Sequence, residues 1–203
     1  ERLSGRIVWN INSTAMGGGV AEMIRAYLPY AIDCGVDARW VVLQEDAAFF
    51  VLTKRIHNNL HGDPGDGGDL GLAERRFYSH SLADSENNIR ACVAPGDIVV
   101  LHDPQTAGLI PALKRHGAIV IWRCHIGTDD SNEYTERAWN FLSTYIEHAD
   151  ASIFSREEYV GPQIPDGHWT VIPPGIDAFT SKNEEVEMDL RDRVLVTIDS
   201  PMT

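Results

Sequence analysis

Six short, mostly apolar runs separated by helical segments constrain the fold of this chain more than any other feature. The runs do not alternate with polar residues, as a strand with one solvated face would. Strands that stay apolar on both sides predict a parallel sheet covered by helices on both faces, the doubly wound, Rossmann-like α/β architecture. The runs are residues 7–11 (IVWNI), 39–43 (RWVVL), 97–101 (DIVVL), 118–122 (AIVIW), 151–154 (ASIF) and 169–172 (WTVI).

Helix signals lie between these runs. Apolar residues at helical spacing follow residue 20, and Gly35 predicts the end of that helix. Asp46 is placed to cap a helix that Gly62 ends, and Pro104 is placed as the first residue of a helix that Gly117 ends. The predicted helices cover residues 20–31, 46–61, 72–93 in one or two pieces, 104–115 and 133–148. Four tryptophans on apolar faces are expected in the core: Trp9, Trp40, Trp122 and Trp139.

A loop with three consecutive glycines joins the first strand to the first helix. Gly17, Gly18 and Gly19 lack Cβ, so the backbone there can approach a ligand closely, and the N–H groups of the helix start attract an anion. The spacing matches neither the P-loop nor the G-x-G-x-x-G fingerprint. The loop is therefore either a cradle for a phosphate or a tight turn before a helix, and spacing alone leaves both readings open.

Polar residues follow several of the predicted strands. In a doubly wound sheet, ligands bind outside the carboxyl ends of the strands. Besides the glycine loop, that rule selects His102 and Asp103, Arg123 and His125, Ser155 to Glu157, and Pro173 to Asp177.

Each of these candidates also has a structural reading. His102 and Asp103 could hold a metal or exchange a proton, but we favour Asp103 as the cap of the helix that Pro104 opens. A neutral His125 could hydrogen-bond a sugar hydroxyl, or be an ordinary satisfied core residue. Glu157 and Glu158 fit a solvated face better than an acid pair. The sequence has no Gly-x-Ser-x-Gly elbow and no cysteine with an evident activating partner, which disfavours a covalent hydrolase.

Composition narrows the functional classes. The chain has 203 residues, enough for one domain with an appendage, and a net charge of −13 that disfavours binding to nucleic acid. Three cysteines without metal-ligand spacing predict neither a disulfide framework nor a zinc site. No apolar run has the roughly 20 residues that span a bilayer, and the first residues do not read as a signal peptide. The expectation is a cytoplasmic protein that does not enter a membrane.

Several motifs, in order, give the chain a specific resemblance. From about residue 6 to 183 it resembles the amino-terminal half of trehalose-synthesising glycosyltransferases, retaining enzymes with the two-lobed B-type fold that include trehalose synthase and trehalose phosphorylase. The resemblance implies transfer of glucose from a nucleotide-diphosphate glucose to glucose. The motifs are VWNINSTAMGGGVAEM at 8–23, LHDPQTAGLIPAL at 101–113, WRCHIGT at 122–128, SREEYV at 155–160 and VIPPGID at 171–177.

The resemblance also implies roles for individual residues. The glycines at 17–19 would lie against the donor diphosphate and sugar, and His125 would stand at the reacting centre. Asn12 and Glu22 are secondary candidates around the glycine loop. No metal and no cofactor is implied beyond the nucleotide sugar as co-substrate. The implied acceptor-binding residues are His102, Asp103, Gln105 and Arg123.

In the family resembled, a carboxyl-terminal domain holds most of the donor nucleotide. We therefore predict one Rossmann-like acceptor-side domain over residues 1–182 and an acidic tail over 183–203, with no donor domain in the sequence. The chain is then either half of a longer protein or a small protein that kept the acceptor side alone. In either form the isolated chain should show little or no transfer.

Three alternatives to that function stay open. The chain could be half of a trehalose phosphorylase. It could also be a non-catalytic module, which would bind a small sugar such as glucose or trehalose or would form a homodimer. A dehydrogenase is least favoured, because the glycine spacing does not fit.

Overall fold

The computed structural model describes residue 3 and residues 5–175. Its strands form one sheet in which every pair is parallel, in the order β2-β1-β3-β4-β5-β6. Each apolar run predicted as a strand contributes one of them, which confirms the doubly wound α/β fold. The strands are β1 (Ile7–Asn12), β2 (Asp37–Val42), β3 (Ile98–His102), β4 (Ile119–Cys124), β5 (Ala151–Phe154) and β6 (Trp169–Val171).

Most helix boundaries follow their sequence signals. Asp46 Oδ1 accepts a hydrogen bond from the Phe49 N–H at 2.8 Å, as expected of a cap. Gly35 and Gly117 have φ of +82° and +95°, which suits glycine after a helix end. The segment predicted as one or two helices is two. The helices are α1 (Gly19–Asp33), α2 (Ala47–Leu60), α3 (Leu72–Ser81), α4 (Ala83–Cys92), α5 (Ile110–His116) and α6 (Glu133–Ile146), with 3-10 turns at Ala107–Leu109 and Glu157–Tyr159.

The prediction that Pro104 opens a helix capped by Asp103 is wrong. Residues 104–106 form a turn, and α5 begins only at residue 110. Long-range hydrogen bonds explain the difference: the buried Tyr78 hydroxyl donates to the Pro104 carbonyl and accepts from the Gly108 N–H at 3.0 Å. The Thr106 hydroxyl donates to the His102 carbonyl at 2.9 Å. These contacts hold residues 103–108 in place of a regular first helical turn.

The core lies on both sides of the sheet, and three of the four predicted tryptophans are in it. Trp9, Trp122 and Trp139 are 6%, 0% and 5% exposed, and Trp122 packs edge-on against Trp139. Trp40 is only half-buried, so that prediction is wrong. Its indole Nε1 donates to Asn12 Oδ1 at 2.8 Å, which turns it toward the glycine loop instead of the core.

The helix α1 buries less than its pattern suggests. Only Ala21 and Ile24 are fully buried, and Met23 is half-buried and lines a cleft. The wide apolar face expected from spacing therefore serves partly as the wall of that cleft.

Strand order places the site. The chain runs outward in one direction from β1 to β2 and in the other direction from β3 onward, so the order reverses between β1 and β3. In such sheets the crevice at this switch point is the usual ligand site. The glycine loop follows β1, and His102 and Asp103 end and follow β3.

A buried aspartate ties the amino-terminal ends of two strands together. Asp97, 5% exposed, accepts hydrogen bonds at 3.0 Å each from the Trp9 Nε1, the Ile7 N–H and the Ala94 N–H. Burial alone would raise its carboxyl pKa, but these three donors outweigh burial, and the pKa is lowered. Asp97 therefore stabilises the β1–β3 pair as a carboxylate.

Candidate functional site

The carboxyl ends of the strands open into one cleft of about 1200 Å³. It brings the glycine loop of the first βα unit together with residues that follow β3, β4 and β5. Arg123 is not among the lining residues, although it was predicted beside them. Predicted residues that line the cleft are Asn12, Gly17, Gly18, Gly19, Glu22, His102, Asp103, Gln105, His125, Ser155, Arg156, Pro174 and Gly175. Of the last predicted segment, Ile176 and Asp177 lie outside the described residues.

The three glycines differ in what their backbone demands. Gly17 and Gly18 have φ of +74° and +83°, which L side chains rarely adopt, whereas Gly19 is free of that demand. A Cβ added at any of the three would meet no atom within 4 Å. The glycine loop is thus open on its outer side. The structure explains two of the glycines by their φ angles and leaves Gly19 without a conformational reason.

The start of α1 lacks a side-chain cap. Its N-cap is Gly18, and the first N–H bonded within the helix is that of Glu22, to the Gly18 carbonyl at 3.3 Å. The N–H groups of the first turn are therefore available to an anion, and the helix dipole favours one there. This geometry fits the phosphate-cradle reading of the loop.

Asn12 holds the segment before the glycines by a side-chain hydrogen bond. It is 3% exposed, and its Nδ2 donates to the Thr14 carbonyl at 2.7 Å while its Oδ1 accepts from Trp40. Arg25 Nη2 donates to the Ala15 carbonyl at 2.6 Å from the first turns of α1. Asn12 thus holds the backbone that leads into the glycines.

Two histidines meet at the floor of the cleft. His102 Nδ1 lies 3.0 Å from His125 Nε2, and the rings are nearly parallel, 5.3 Å apart. Burial, and to a lesser extent the charge of Arg123, lowers the pKa of His125 to about 4. Burial also lowers the pKa of His102, to about 3, with smaller effects from His125 and Arg123. Both imidazoles are therefore neutral at physiological pH, with one donor and one acceptor nitrogen each.

Asp103 organises the backbone around these histidines. It is the only non-glycine residue with positive φ, +62°, in the described part of the chain. Its Oδ1 accepts from the His125 N–H at 2.8 Å, its N–H donates to the Arg123 carbonyl at 2.9 Å, and its carbonyl accepts from Trp122 Nε1 at 3.1 Å. The strained backbone is held by contacts with β4, so Asp103 positions His125 instead of capping a helix.

Burial changes the protonation of Asp103. It raises the carboxyl pKa to about 7, although the hydrogen bond from the His125 N–H and the charge of Arg123 oppose the change. Arg123 itself is half-buried, and its Nε has no hydrogen-bond partner among the described residues. Arg123 therefore places a positive charge behind the cleft wall, near Asp103 and both imidazoles.

We expect Asp103→Asn to remove one contribution to the pH dependence of stability, the one that destabilises the protein as pH rises. Since its folded pKa is raised, Asp103 keeps a proton in the native state that the unfolded chain releases near pH 4, and its own contribution to the free energy of unfolding falls as pH rises from about 4 to about 7. Asparagine can still accept the His125 N–H but does not titrate. Urea unfolding at about pH 5 and about pH 8 should show near-equal stability at the lower pH and a more stable variant at the higher one.

The exposed Asp130 supplies the matched control, since Asp130→Asn removes a carboxylate outside the cleft. In that variant the free energy of unfolding should change between the two pH values as it does in the wild type. An Asp103→Asn variant with the same pH dependence would contradict the assigned protonation.

Two residues joined by hydrogen bonds to the cleft residue His102 were not found by the sequence analysis. Asn10 is 2% exposed, and its Oδ1 lies 3.3 Å from His102 Nε2 and accepts a hydrogen bond from the Tyr27 hydroxyl. The available signal was one polar residue inside an otherwise apolar strand run. Tyr27 gave no signal, because tyrosine at helical spacing reads as part of an apolar face.

The described residues hold no group of three or more histidine, cysteine, aspartate or glutamate side chains that could bind a metal ion. Within the same part of the chain, no helix has the length and apolar character needed to cross a bilayer.

Comparison with known proteins finds relatives of this sequence. A sequence profile described as the amino-terminal domain of trehalose synthase matches residues 10–161. The chain is 34% identical over 199 residues to the trehalose synthase of Pyrococcus horikoshii, covering 98% of this chain and 46% of that protein. It is 34% identical over 195 residues to the trehalose synthase of Rubrobacter xylanophilus, covering 93% and 44%. It is also 34% identical over 158 residues to the trehalose phosphorylase of Grifola frondosa, covering 70% and 21%. The chain thus spans less than half the length of these curated relatives.

Proposed function

We propose, since the chain belongs to the family of trehalose synthase amino-terminal domains, that it forms the acceptor-side lobe of a retaining glucosyltransferase. The enzyme would make trehalose from a nucleotide-diphosphate glucose and glucose. Residues 1–182 would belong to this lobe of a B-type fold, and residues 183–203 would be an acidic tail. A second lobe would hold most of the donor nucleotide. A cytoplasmic setting suits a nucleotide-sugar co-substrate.

One observation carries the proposal: the uncapped, glycine-flanked start of α1 and the neutral His125 line the same cleft at the switch point of the sheet. A retaining transfer builds negative charge on the leaving diphosphate and positive charge on the sugar. Fixed N–H dipoles stabilise the negative charge on the diphosphate, and they are most effective when they need no reorganisation during the reaction. An open backbone of glycines allows the diphosphate to come close to those dipoles.

The floor of the cleft suits an uncharged hexose. His125 and Gln105 offer neutral hydrogen-bonding groups, and Asp103 adds a carboxyl group that can be protonated near neutral pH. His102 would act through His125, because its own two ring nitrogens already contact Asn10 and His125. Arg123 would act from behind the wall, by its charge on these groups, in place of the direct acceptor contact predicted from the sequence. Groups of this kind orient sugar hydroxyls without demanding a charged substrate.

A phosphorylase half is the second candidate, and the similarity to the trehalose phosphorylase of Grifola frondosa favours considering it. An anion cradle at α1 would serve inorganic phosphate as well as a diphosphate. The two functions differ in whether trehalose cleavage requires phosphate.

Two measurements test the proposal. Calorimetry should show glucose binding to this chain alone, while the chain alone should not form trehalose from glucose and ADP- or UDP-glucose. The full-length product of the gene should catalyse that transfer. Phosphate-dependent cleavage of trehalose, without transfer from a nucleotide sugar, would replace the synthase by the phosphorylase. Absence of both activities in the full-length product would overturn the proposal and favour a binding module.

A further inference from the structure

Four side chains form a chain of hydrogen bonds that is buried at its centre and ends at His125. The Tyr27 hydroxyl of α1 donates to Asn10 Oδ1 of β1, which also lies 3.3 Å from His102 Nε2. His102 Nδ1 lies 3.0 Å from His125 Nε2. Asn10 and His102 are 2% and 1% exposed, so water does not substitute for these partners. We call these four residues the His125 relay.

The direction of each hydrogen bond follows from the chemistry of the atoms. An amide oxygen only accepts, so His102 Nε2 carries the proton in its bond to Asn10. Both rings are neutral, because burial and Arg123 lower the pKa of each imidazole. The second nitrogen of His102, Nδ1, is then an acceptor, and the proton between the rings belongs to His125 Nε2.

Tyr27 sets the orientation of the Asn10 amide on which this direction depends. Burial raises the pKa of Tyr27 to about 12, so its hydroxyl keeps its proton and needs an acceptor. Asn10 Oδ1 is that acceptor. If the amide turned over, its NH₂ group would face the hydroxyl, and the hydroxyl proton would lose its acceptor.

We infer that Tyr27, Asn10 and His102 are positioning residues that fix His125 with its proton on Nε2, leaving Nδ1 as a bare acceptor for a sugar hydroxyl in the cleft. His125 Nδ1 has no hydrogen-bond partner among the described residues, and His125 lines the cleft. The role toward a sugar rests on the proposed function. The tautomer itself does not, since it depends only on contacts within this chain.

Nitrogen NMR of the histidine rings of this chain tests the inference, because a protonated and a bare ring nitrogen differ strongly in chemical shift. The His125 signals, assigned by their loss in His125→Gln, should show a protonated Nε2 and a bare Nδ1. A coupling across the bond between His102 Nδ1 and His125 Nε2 should accompany them. A proton on His125 Nδ1 in the unmodified chain would overturn the inference.

The variant Tyr27→Phe tests the origin of the tautomer. Without the hydroxyl the Asn10 amide can turn and donate to His102, which reverses the relay, so His125 should show a mixture with protonated Nδ1. Tyr145→Phe is the matched control, since it removes a hydroxyl on α6 that contacts Ser79 at 3.1 Å; it should leave the His125 signals unchanged. Unchanged signals in Tyr27→Phe would remove Tyr27 from the relay and overturn the inference.

Kinetics of the full-length gene product separates this inference from the proposed function. Tyr27→Phe should lower kcat by roughly 10-fold with little change in KM for glucose, since a lost hydrogen bond of about 1.4 kcal/mol at the reacting centre acts on the transition state. Transfer with the expected tautomer absent would contradict the inference alone. The expected tautomer in a protein without transfer would contradict the proposed function alone.

Discussion

Replacing Asp97 with alanine should lower the free energy of unfolding by about 3–5 kcal/mol, because the buried Trp9 indole and two partly buried N–H groups lose a charged acceptor together. The donors are the Trp9 indole, the Ile7 N–H and the Ala94 N–H. The first two belong to β1 and the third to the turn before β3, so Asp97 joins these segments at the amino-terminal edge of the sheet. Urea denaturation followed by circular dichroism near neutral pH measures the change.

The pH dependence gives this prediction a second, independent reading. Because the folded pKa of Asp97 is lowered, its stabilisation is present above the unfolded value of about 4 and is lost as pH falls below that. The difference in free energy of unfolding between wild type and Asp97→Ala should therefore become smaller in acid. Asp37→Ala is the control: that carboxylate pairs with Arg39 on an exposed surface, where screening by water leaves an ion pair little effect on stability. Equal losses for the two variants would show that Asp97 is not a buried tie between strands.

The order and type of the elements followed from the sequence because they depend on local patterns. An apolar run such as residues 118–122 must be covered on both faces whatever its neighbours are, and a glycine such as Gly117 ends a helix through its own φ. The rule that ligands bind at the carboxyl ends of parallel strands then brought the glycine loop, His102 and His125 to one cleft without any structural information.

The failures share one physical cause, which is hydrogen bonding between residues distant in sequence. Tyr78 lies 26 residues before Pro104, yet its hydroxyl contact replaces the helix start that proline predicts. Trp40 is turned toward Asn12, 28 residues away. Periodicity records only which residues are apolar, so it cannot report that an indole N–H or a phenol hydroxyl has a distant partner.

The same limit hid the chemistry of the site. Asp103 matches the pattern of a helix cap, and its actual role depends on the His125 N–H, 22 residues later, and on a positive φ that β4 supports. The pKa values of the two histidines depend on burial and on Arg123, neither of which spacing encodes. The site is therefore predictable as a location, while its protonation states follow only from the packed structure.

The glycines of the loop differ in whether the backbone conformation requires them. Gly17 and Gly18 are required by positive φ, whereas Gly19 has ordinary φ and open space where a Cβ would stand. A methyl group at Gly19 therefore meets no steric obstacle in the protein, and Gly19→Ala should raise stability slightly, by up to about 1 kcal/mol. By contrast, Gly17→Ala should lose about 1–2 kcal/mol, since alanine is strained at its φ of +74°.

Under the proposed function, Gly19→Ala should nevertheless lower kcat/KM for transfer by the full-length gene product by roughly 100-fold, because the added methyl group would hold the donor diphosphate away from the first N–H groups of α1. The expected pattern is a thermal midpoint at or above wild type together with severe loss of activity and an unchanged calorimetric affinity for glucose. Activity near wild type would mean that no ligand approaches the backbone at Gly19, which would leave the loop as a tight turn. Loss of glucose affinity as well would assign the loop to the acceptor in place of the donor.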